Sequence, residues 1–329
     1  MSLERVVKAI AKYNNFLITT HVNPEGDALG SELTVKVILD KLNKSSFIIN
    51  EKEPPREYKF LPGINSIKKF RDLKDFDAAI VLDCSDLGRT GKVSKLVTKD
   101  KSVINIDHHI SNSYFGKVNW VDSGSSSACE MVYRLYKALK IKLTRNPALN
   151  MYVGILTDTG SFRYSNTTAL THKVVSDLLR EKISVSKIYR KVYQSYSFSD
   201  MKFLASQISD FNIDKKGKII WASISHKTLV LNKTSMDLAD SILNFARAIK
   251  GVEVVLLFKA ISSNEVRVNL RSNGKVDVNR LAKIFGGGGH KTASGFTIKG
   301  SLKDVQAQVL REVKTAVYPV RMSHVRRGR

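Results

Sequence analysis

Along the chain, short apolar runs rich in β-branched residues alternate with longer stretches whose apolar positions recur at helical spacing. The runs Phe16 to Thr20 (FLITT), Ser46 to Asn50 (SFIIN), Ala78 to Asp83 (AAIVLD) and Ser102 to Asp107 (SVINID) predict strands, separated by helix-like stretches such as Asp27 to Leu42. Strands that are apolar almost throughout are buried on both faces, which predicts a mainly parallel sheet flanked by helices. Further helices are expected at Ser127 to Leu139, Ala148 to Thr157, Thr171 to Glu181 and Val185 to Tyr193. From Ser195 to Asp214 the pattern weakens into a polar segment that ends in a turn at Asp214 to Gly217. Beyond it lie strands at Ile219 to Ser225, Val252 to Ala260 and Glu265 to Arg271, and helices at Met236 to Ala248, Val278 to Phe285 and Leu302 to Val317. The expected organisation is an α/β domain over residues 1–195, a linker over 196–213, a smaller α/β domain over 214–318 and a basic tail over 319–329.

Length and composition agree with two domains: 329 residues, 43% of them hydrophobic, suffice for two cores. No segment approaches the roughly 18 consecutive apolar residues of a membrane span. The start, MSLERVVKAIAKYNNFLITT, alternates charge with apolar side chains instead of forming a signal-peptide core, so a cytoplasmic protein without a membrane partner is expected. Cys84 and Cys129 are the only cysteines, which argues against a disulfide framework or a thiolate metal site and for two buried thiols.

Charge adds a partner class. Lys and Arg number 54 against 30 Asp and Glu, a net +24, and the second part is the more cationic: 23 basic and 9 acidic residues over 201–329, against 31 and 21 over 1–200. That balance suits an anionic ligand, although lysines spread over solvated faces would produce the same count.

Four segments of the first domain set Asp or His where a strand or helix ends, which is where an open parallel sheet presents its ligand crevice. In HVNPEGDALGS, His21 follows a strand, and Glu25 and Asp27 flank Gly26 at the start of the next helix. Asp83 ends an apolar strand, where an ionised carboxylate costs several kcal/mol unless something positive neutralises it. Asp107, His108 and His109 end SVINID, and strand alternation lets only some of the three face one ion. Asp158 follows an apolar helix in GILTDTGSF. Taken singly, the first of these segments reads better as a βα loop with a helix-capping Asp, and Asp158 as a C-terminal turn residue before Gly160. Together they offer the carboxylate and imidazole set that hard-to-borderline divalent ions accept. Two ions sharing bridging carboxylates, spaced roughly 3.5 to 4 Å, would relieve the repulsion among the acids and suit in-line attack at phosphorus.

With HVNPEGDALGS, VLDCSD, IDHH and TDTGSF in that order, the sequence resembles the DHH phosphoesterase family, and NLRSNGKVDVNRLAKIFGGGGHKTASGF resembles its DHHA1 substrate domain. The match spans nearly the whole chain. The resemblance implies that His21, Glu25, Asp83 and Asp158 hold one metal ion and that Asp27, Asp83, His108 and Asp158 hold a second, with Asp83 and Asp158 bridging. It implies manganese as the ion, Asp107 as the group orienting the imidazoles, and His109 beside the scissile phosphate. Glu25 departs from the family, which has Asp there; the extra methylene is expected to weaken metal binding or slow turnover without abolishing it.

In the second domain, Gly287, Gly288 and Gly289 expose backbone amides that a phosphate can approach closely, with His290 beside them and the forked donors of Arg271 at the end of a strand. A flexible hinge and a structural salt bridge are the plain alternatives for these features. The family reading joins them as the cradle for a terminal phosphate or nucleotide. Phe162, Tyr164 and Phe285 could stack on bases but are expected to pack, and Ser125 to Ser127 either meet phosphate or cap a helix.

The resemblance is to short bacterial members: nanoRNases that also dephosphorylate 3′-phosphoadenosine 5′-phosphate (pAp), and phosphodiesterases of cyclic di-AMP and its linear product pApA. The expected partners are short RNA oligonucleotides or these small nucleotides, in a homodimer. A processive exonuclease is disfavoured because no further oligonucleotide-binding module is present, and a pyrophosphatase because those members carry a different C-terminal domain. A nucleotide-binding regulatory protein weakened by Glu25 stands as the alternative from another class.

Overall fold

In the computed structural model, which describes residues 2–70, 75–98, 100–194, 197–231, 242–243 and 245–319, the apolar runs of the first half become parallel strands. They are β1 (Asn15–Thr19), β2 (Ser45–Asn50), β3 (Ile67–Lys69), β4 (Ala78–Leu82), β5 (Ser102–Asp107) and β6 (Val118–Val121), in the spatial order β3-β2-β1-β4-β5-β6 with every pairing parallel. β3 and β6 escape the pattern reading. β3 is a three-residue edge whose only buried side chain is Ile67, and β6 carries a buried Asn119 that ties down the preceding turn at Gly116.

Both faces of this sheet are buried, as the apolar runs require. β1 sends Phe16 and Ile18 into the larger core and Leu17 into a smaller one with Ile49, Ala79, Phe76 and Val93. The larger core is closed by helices α1 (Leu3–Lys12), α2 (Gly26–Lys41), α3 (Ala128–Ala138), α4 (Arg145–Asp158), α5 (Ala169–Leu179) and α6 (Val185–Tyr193). α2 is apolar or small around nearly its whole circumference, so it is a buried helix and not a surface one. Its Leu29, Leu33, Val35, Ile38 and Leu39 bury apolar surface worth on the order of 10 kcal/mol before chain entropy is counted. Close packing beside it depends on Gly154 of α4: a Cβ there would lie 2.3 Å from Cys129 Sγ and 2.8 Å from Asp27 Oδ1.

The chain divides into two compact units, Met1–Ser195 and Tyr196–Arg329. The stretch read as a linker, 196–213, carries helix α7 (Phe198–Ser209) and strand β7 (Asn212–Ile213). Phe203 and Leu204 of α7 enter a core with Ile220, Ala222, Val255 and Leu257, so this stretch is part of the second unit's fold; its polar composition reflects the other, exposed side of the helix. The second sheet has the order β11-β12-β10-β9-β8-β7, built from β7, β8 (Ile219–Ile224), β9 (Val254–Ser262), β10 (Glu265–Ser272), β11 (Gly288–His290) and β12 (Ala293–Lys299). β8 and β9 run parallel and the remaining pairs antiparallel. A helix α8 (His226–Leu231) follows β8, and α9 (Val278–Ile284) and α10 (Leu302–Val317) pack on the face carrying Val266, Val268 and Leu270. Most of the expected helix Met236 to Ala248, and all but the first residue of the basic tail, lie outside the described residues. No helix among the described residues is long and apolar enough to cross a membrane.

Candidate metal centre

The strand order reverses direction between β1 and β4, and at such a switch point the two connections leave to opposite sides and open a crevice beyond the carboxyl ends of the strands. His21 lies two residues past β1, Asp83 directly past β4, and Asp107 ends β5 with His108 and His109 following. Asp27 is the second residue of α2 and Asp158 the last of α4. Asp83 holds a left-handed backbone, φ +49°, which costs a side-chain-bearing residue roughly 1–2 kcal/mol and turns its carboxylate into the crevice.

These side chains converge. His108 Nε2 has three carboxylates around it, at 3.4 Å from Asp83 Oδ1, 3.6 Å from Asp158 Oδ2 and 3.8 Å from Asp27 Oδ2. Asp83 also lies 3.6 Å from His109 Nδ1 and, through Oδ2, 3.7 Å from His21 Nε2. Two groups have ligand atoms all within 4.8 Å of one another: Asp83, His108 and His109, and Asp27, His108 and Asp158. Glu25 is exposed at the N-cap of α2, outside both groups, although its charge still reaches Asp158.

The spacing and the charge both fit a cation. Ligand atoms each about 2.1 Å from one ion sit roughly 3 to 4 Å apart, the range seen around His108, whereas a hydrogen bond would draw them closer. Asp83 Oδ1 is buried with no hydrogen-bond partner. Burial, with the charges of Asp27, Asp83 and Glu25 added, pushes the Asp158 carboxyl well above its usual range, and burial beside Asp83 pushes Asp27 up to about 6. Burial opposes charge on His108, but Asp158, Asp83 and Asp27 outweigh it and raise its imidazole well above the ordinary value. Burial likewise opposes ionisation of Asp83, which His108, His21 and His109 hold well below the usual carboxylate range. A cluster that pushes Asp158 and His108 towards their protonated forms is short of positive charge, and a divalent ion supplies it.

A further layer fixes these groups. Asp107 Oδ1 lies 2.6 Å from His109 Nδ1, and its Oδ2 accepts from Asn112 Nδ2 at 2.6 Å, an amide that also reaches Asn105 Oδ1 at 2.8 Å. The pairing selects His109, so its Nε2 is the nitrogen that faces away from Asp107. Asp27 is gripped by the N-terminus of α3: Ala128 N–H donates to Oδ2 at 2.6 Å and Cys129 N–H to Oδ1 at 2.8 Å. The hydroxyls of Ser125 and Ser126 donate to Asp122 and Glu130, and that of Ser127 accepts from the Glu130 amide, so Ser127 is the residue that caps α3. Sequence reasoning passed over Asn112 and the α3 amides: a backbone donor leaves no residue signature, and an Asn near a turn is common.

In the second unit, Arg271 on β10 and His290 on β11 both register with Ala293 of β12, so the two side chains stand on one face of the sheet about 10 Å apart, with a small residue between. The glycine run is not a loop throughout, because Gly288–His290 pairs with β12. Cβ atoms at Gly287 and Gly289 would lie 2.4 Å from Gly295 O and 2.5 Å from Ala293 O, so these two glycines serve the close approach of the chain's own strand. Around Gly288 the nearest atom to such a Cβ is 3.8 Å away, which leaves that position open to a ligand. Phe285 stacks on Phe296 at 4.6 Å and Phe162 packs between Tyr152 and His172, as expected of packing aromatics.

Comparison with known proteins agrees with this architecture. The DHH family N-terminal domain matches residues 15–155 and the DHHA1 domain residues 222–317. The bifunctional oligoribonuclease and PAP phosphatase NrnA of Thermus thermophilus is 30% identical over 90% of this chain and 88% of its own, and that of Bacillus subtilis 28% identical over 89% and 92%. The crystal structure of an exopolyphosphatase-related protein from Bacteroides fragilis superposes with a TM-score of 0.86 at 27% identity, covering 95% of this chain and 96% of that one. RecJ of Thermus thermophilus, crystallised with Mn2+, shares the fold at a TM-score of 0.51 and 13% identity over 96% of this chain and 54% of its own. With its crevice of acids and imidazoles at the switch point of a parallel sheet and a DHHA1 unit following, the chain belongs to the DHH phosphoesterase family.

Proposed function

We propose that the chain hydrolyses very short oligoribonucleotides and removes phosphate from pAp, with two divalent ions, manganese in the first instance, held by its crevice. The reading rests most heavily on one observation, the three carboxylates gathered around His108 with Asp83 Oδ1 buried and unbonded. His21, Glu25, Asp83 and Asp158 would hold one ion, and Asp27, Asp83, His108 and Asp158 the other. When bound, such ions make water nucleophilic near neutral pH and neutralise charge on the phosphoryl oxygens. The chain's own residues do the rest. Asp107 fixes the His109 ring so that Nε2 is available to the leaving oxygen. Arg271, the backbone at Gly288 and His290 anchor the nucleotide's phosphate in the second unit, while Gly287 and Gly289 let the strand that carries them approach β12.

The test is a panel of pAp, dinucleotide RNA, cyclic di-AMP, pApA and pyrophosphate with the full chain and Mn2+. Turnover of pAp and the RNA dinucleotide is expected. Turnover confined to cyclic di-AMP and pApA would replace this substrate assignment, and binding without release from any of the five would make the chain a nucleotide-binding protein.

A further inference from the structure

Asn166 lies in the turn between α4 and α5, and its side chain is spent on two other elements. Nδ2 donates to Ser126 O at 2.9 Å and to Asp158 O at 3.1 Å, and it lies 3.4 Å from Asp158 Oδ2. An amide has two hydrogens, so both go to main-chain oxygens of separate segments, with the Asp158 carboxylate at the edge of reach. Ser126 belongs to the loop that starts α3. Two and three residues later come the Ala128 and Cys129 amides that grip both oxygens of Asp27. Glu130 clamps the same loop, accepting from Ser126 Oγ at 2.7 Å and from Thr171 Oγ1 of α5 at 2.8 Å.

One side chain thus joins the end of α4, which carries Asp158, to the loop that holds Asp27. These carboxylates come from α2 and α4, repel each other, and lie with His108 within 4.8 Å, so something must hold them at that spacing. Asn166 Oδ1 is itself buried without a hydrogen-bond partner, a cost that folding alone does not explain and that a metal-coordinated water could remove.

We propose that Asn166 is a positioning residue that sets the separation of Asp27 and Asp158, and through it the affinity of the site they form with His108 for a divalent ion. The inference rests on the metal reading of that site. Outer partners of metal ligands contribute through orientation, and their loss lowers affinity about 10- to 100-fold. A purely structural amide would instead lower stability and leave affinity alone.

The experiment titrates Mn2+ into the metal-free full chain, as wild type, Asn166→Ala and the near-isosteric Asn166→Leu, reading free Mn2+ by electron paramagnetic resonance beside a metal-free thermal melt of each. Wild type that takes up no Mn2+ removes the metal reading and this inference with it. Given wild-type uptake, the expected result is a Kd raised about 10- to 100-fold in either variant that melts within about 10 °C of wild type, with kcat recovered at saturating Mn2+. Unchanged Kd in such a variant overturns the inference while leaving the metal site intact. So does a fall of more than about 10 °C in both variants, because Asn166 would then be a stabilising residue of the fold.

Discussion

Glu32 offers a test of the electrostatics beneath the crevice. It is fully buried on α2, Oε2 accepts from Asn50 Nδ2 at 2.9 Å, and Oε1 has no hydrogen-bond partner. Burial, eased by the Asn50 bond and reinforced by the charge of Asp83, pushes its carboxyl from 4.5 up to about 8. A raised value in the folded state means that the stability linked to Glu32 is fully present below pH 4.5 and is lost as pH rises through 8. Between those limits the folded chain holds one proton more than the unfolded, and stability falls by about 1.4 kcal/mol per pH unit. The loss reaches about 3 kcal/mol at pH 7 and about 5 kcal/mol above pH 8. Glu32→Gln keeps the shape and the bond to Asn50 but has no proton to lose. Relative to wild type, the metal-free variant is therefore expected to gain about 3 kcal/mol between pH 4.5 and pH 7, or roughly 6 to 12 °C in Tm. Urea or thermal denaturation of both proteins in chelator at pH 4.5, 7 and 8.5 measures this. A difference between the two that does not change with pH would refute the reasoning, since Glu32 would then titrate alike in the folded and unfolded chain.

Asp83→Ala is expected to lower kcat by more than about 1000-fold and to abolish tight Mn2+ uptake, and retained turnover would exclude Asp83 as a required ligand. Arg271→Ala should raise KM for pAp about 10- to 100-fold with kcat little changed, the loss of a charge-assisted hydrogen bond; a pure kcat defect would count against an anchoring role. Gly154→Ala places a methyl group against Cys129 Sγ and Asp27 Oδ1, and should cost about 1–3 kcal/mol in denaturant melts together with weaker Mn2+ binding. Because the Asp27 carboxyl is raised to about 6 and must ionise to take a cation, and Asp158 and His108 are also pushed towards their protonated forms, Mn2+ affinity should fall at least about tenfold per unit below pH 6; a flat profile from pH 7.5 to 5 would argue against Asp27 as a ligand.

The strands that carry the site were legible because they are buried on both faces and so are apolar at most positions, as AAIVL of β4 shows. The acids that end them stood out for the same reason: Asp83 and Asp107 interrupt runs in which a charge has no other explanation. Elements that bury little were not legible. β3 has one buried residue, and β11 is a strand of glycines and histidine whose pairing with β12 no side-chain pattern announces. The glycine run invited a reading in terms of ligand approach, while Gly287 and Gly289 answer to the neighbouring strand. What lay furthest from the sequence was the support of the ligands. The grip of α3 on Asp27 spans more than 100 residues and uses backbone N–H groups, and Asn166 acts through two carbonyls. Spatial closeness of that kind follows from the packing of α2, α3 and α4 and from no local motif.

Crystals of the full chain grown with Mn2+ and measured at the manganese absorption edge decide whether the crevice holds two ions. Two anomalous peaks are expected within coordination distance of Asp83 and Asp158, one flanked by His21 and the other by Asp27 and His108. Saturating Mn2+ that leaves no peak beside Asp83 would rule out a metal centre at this carboxylate.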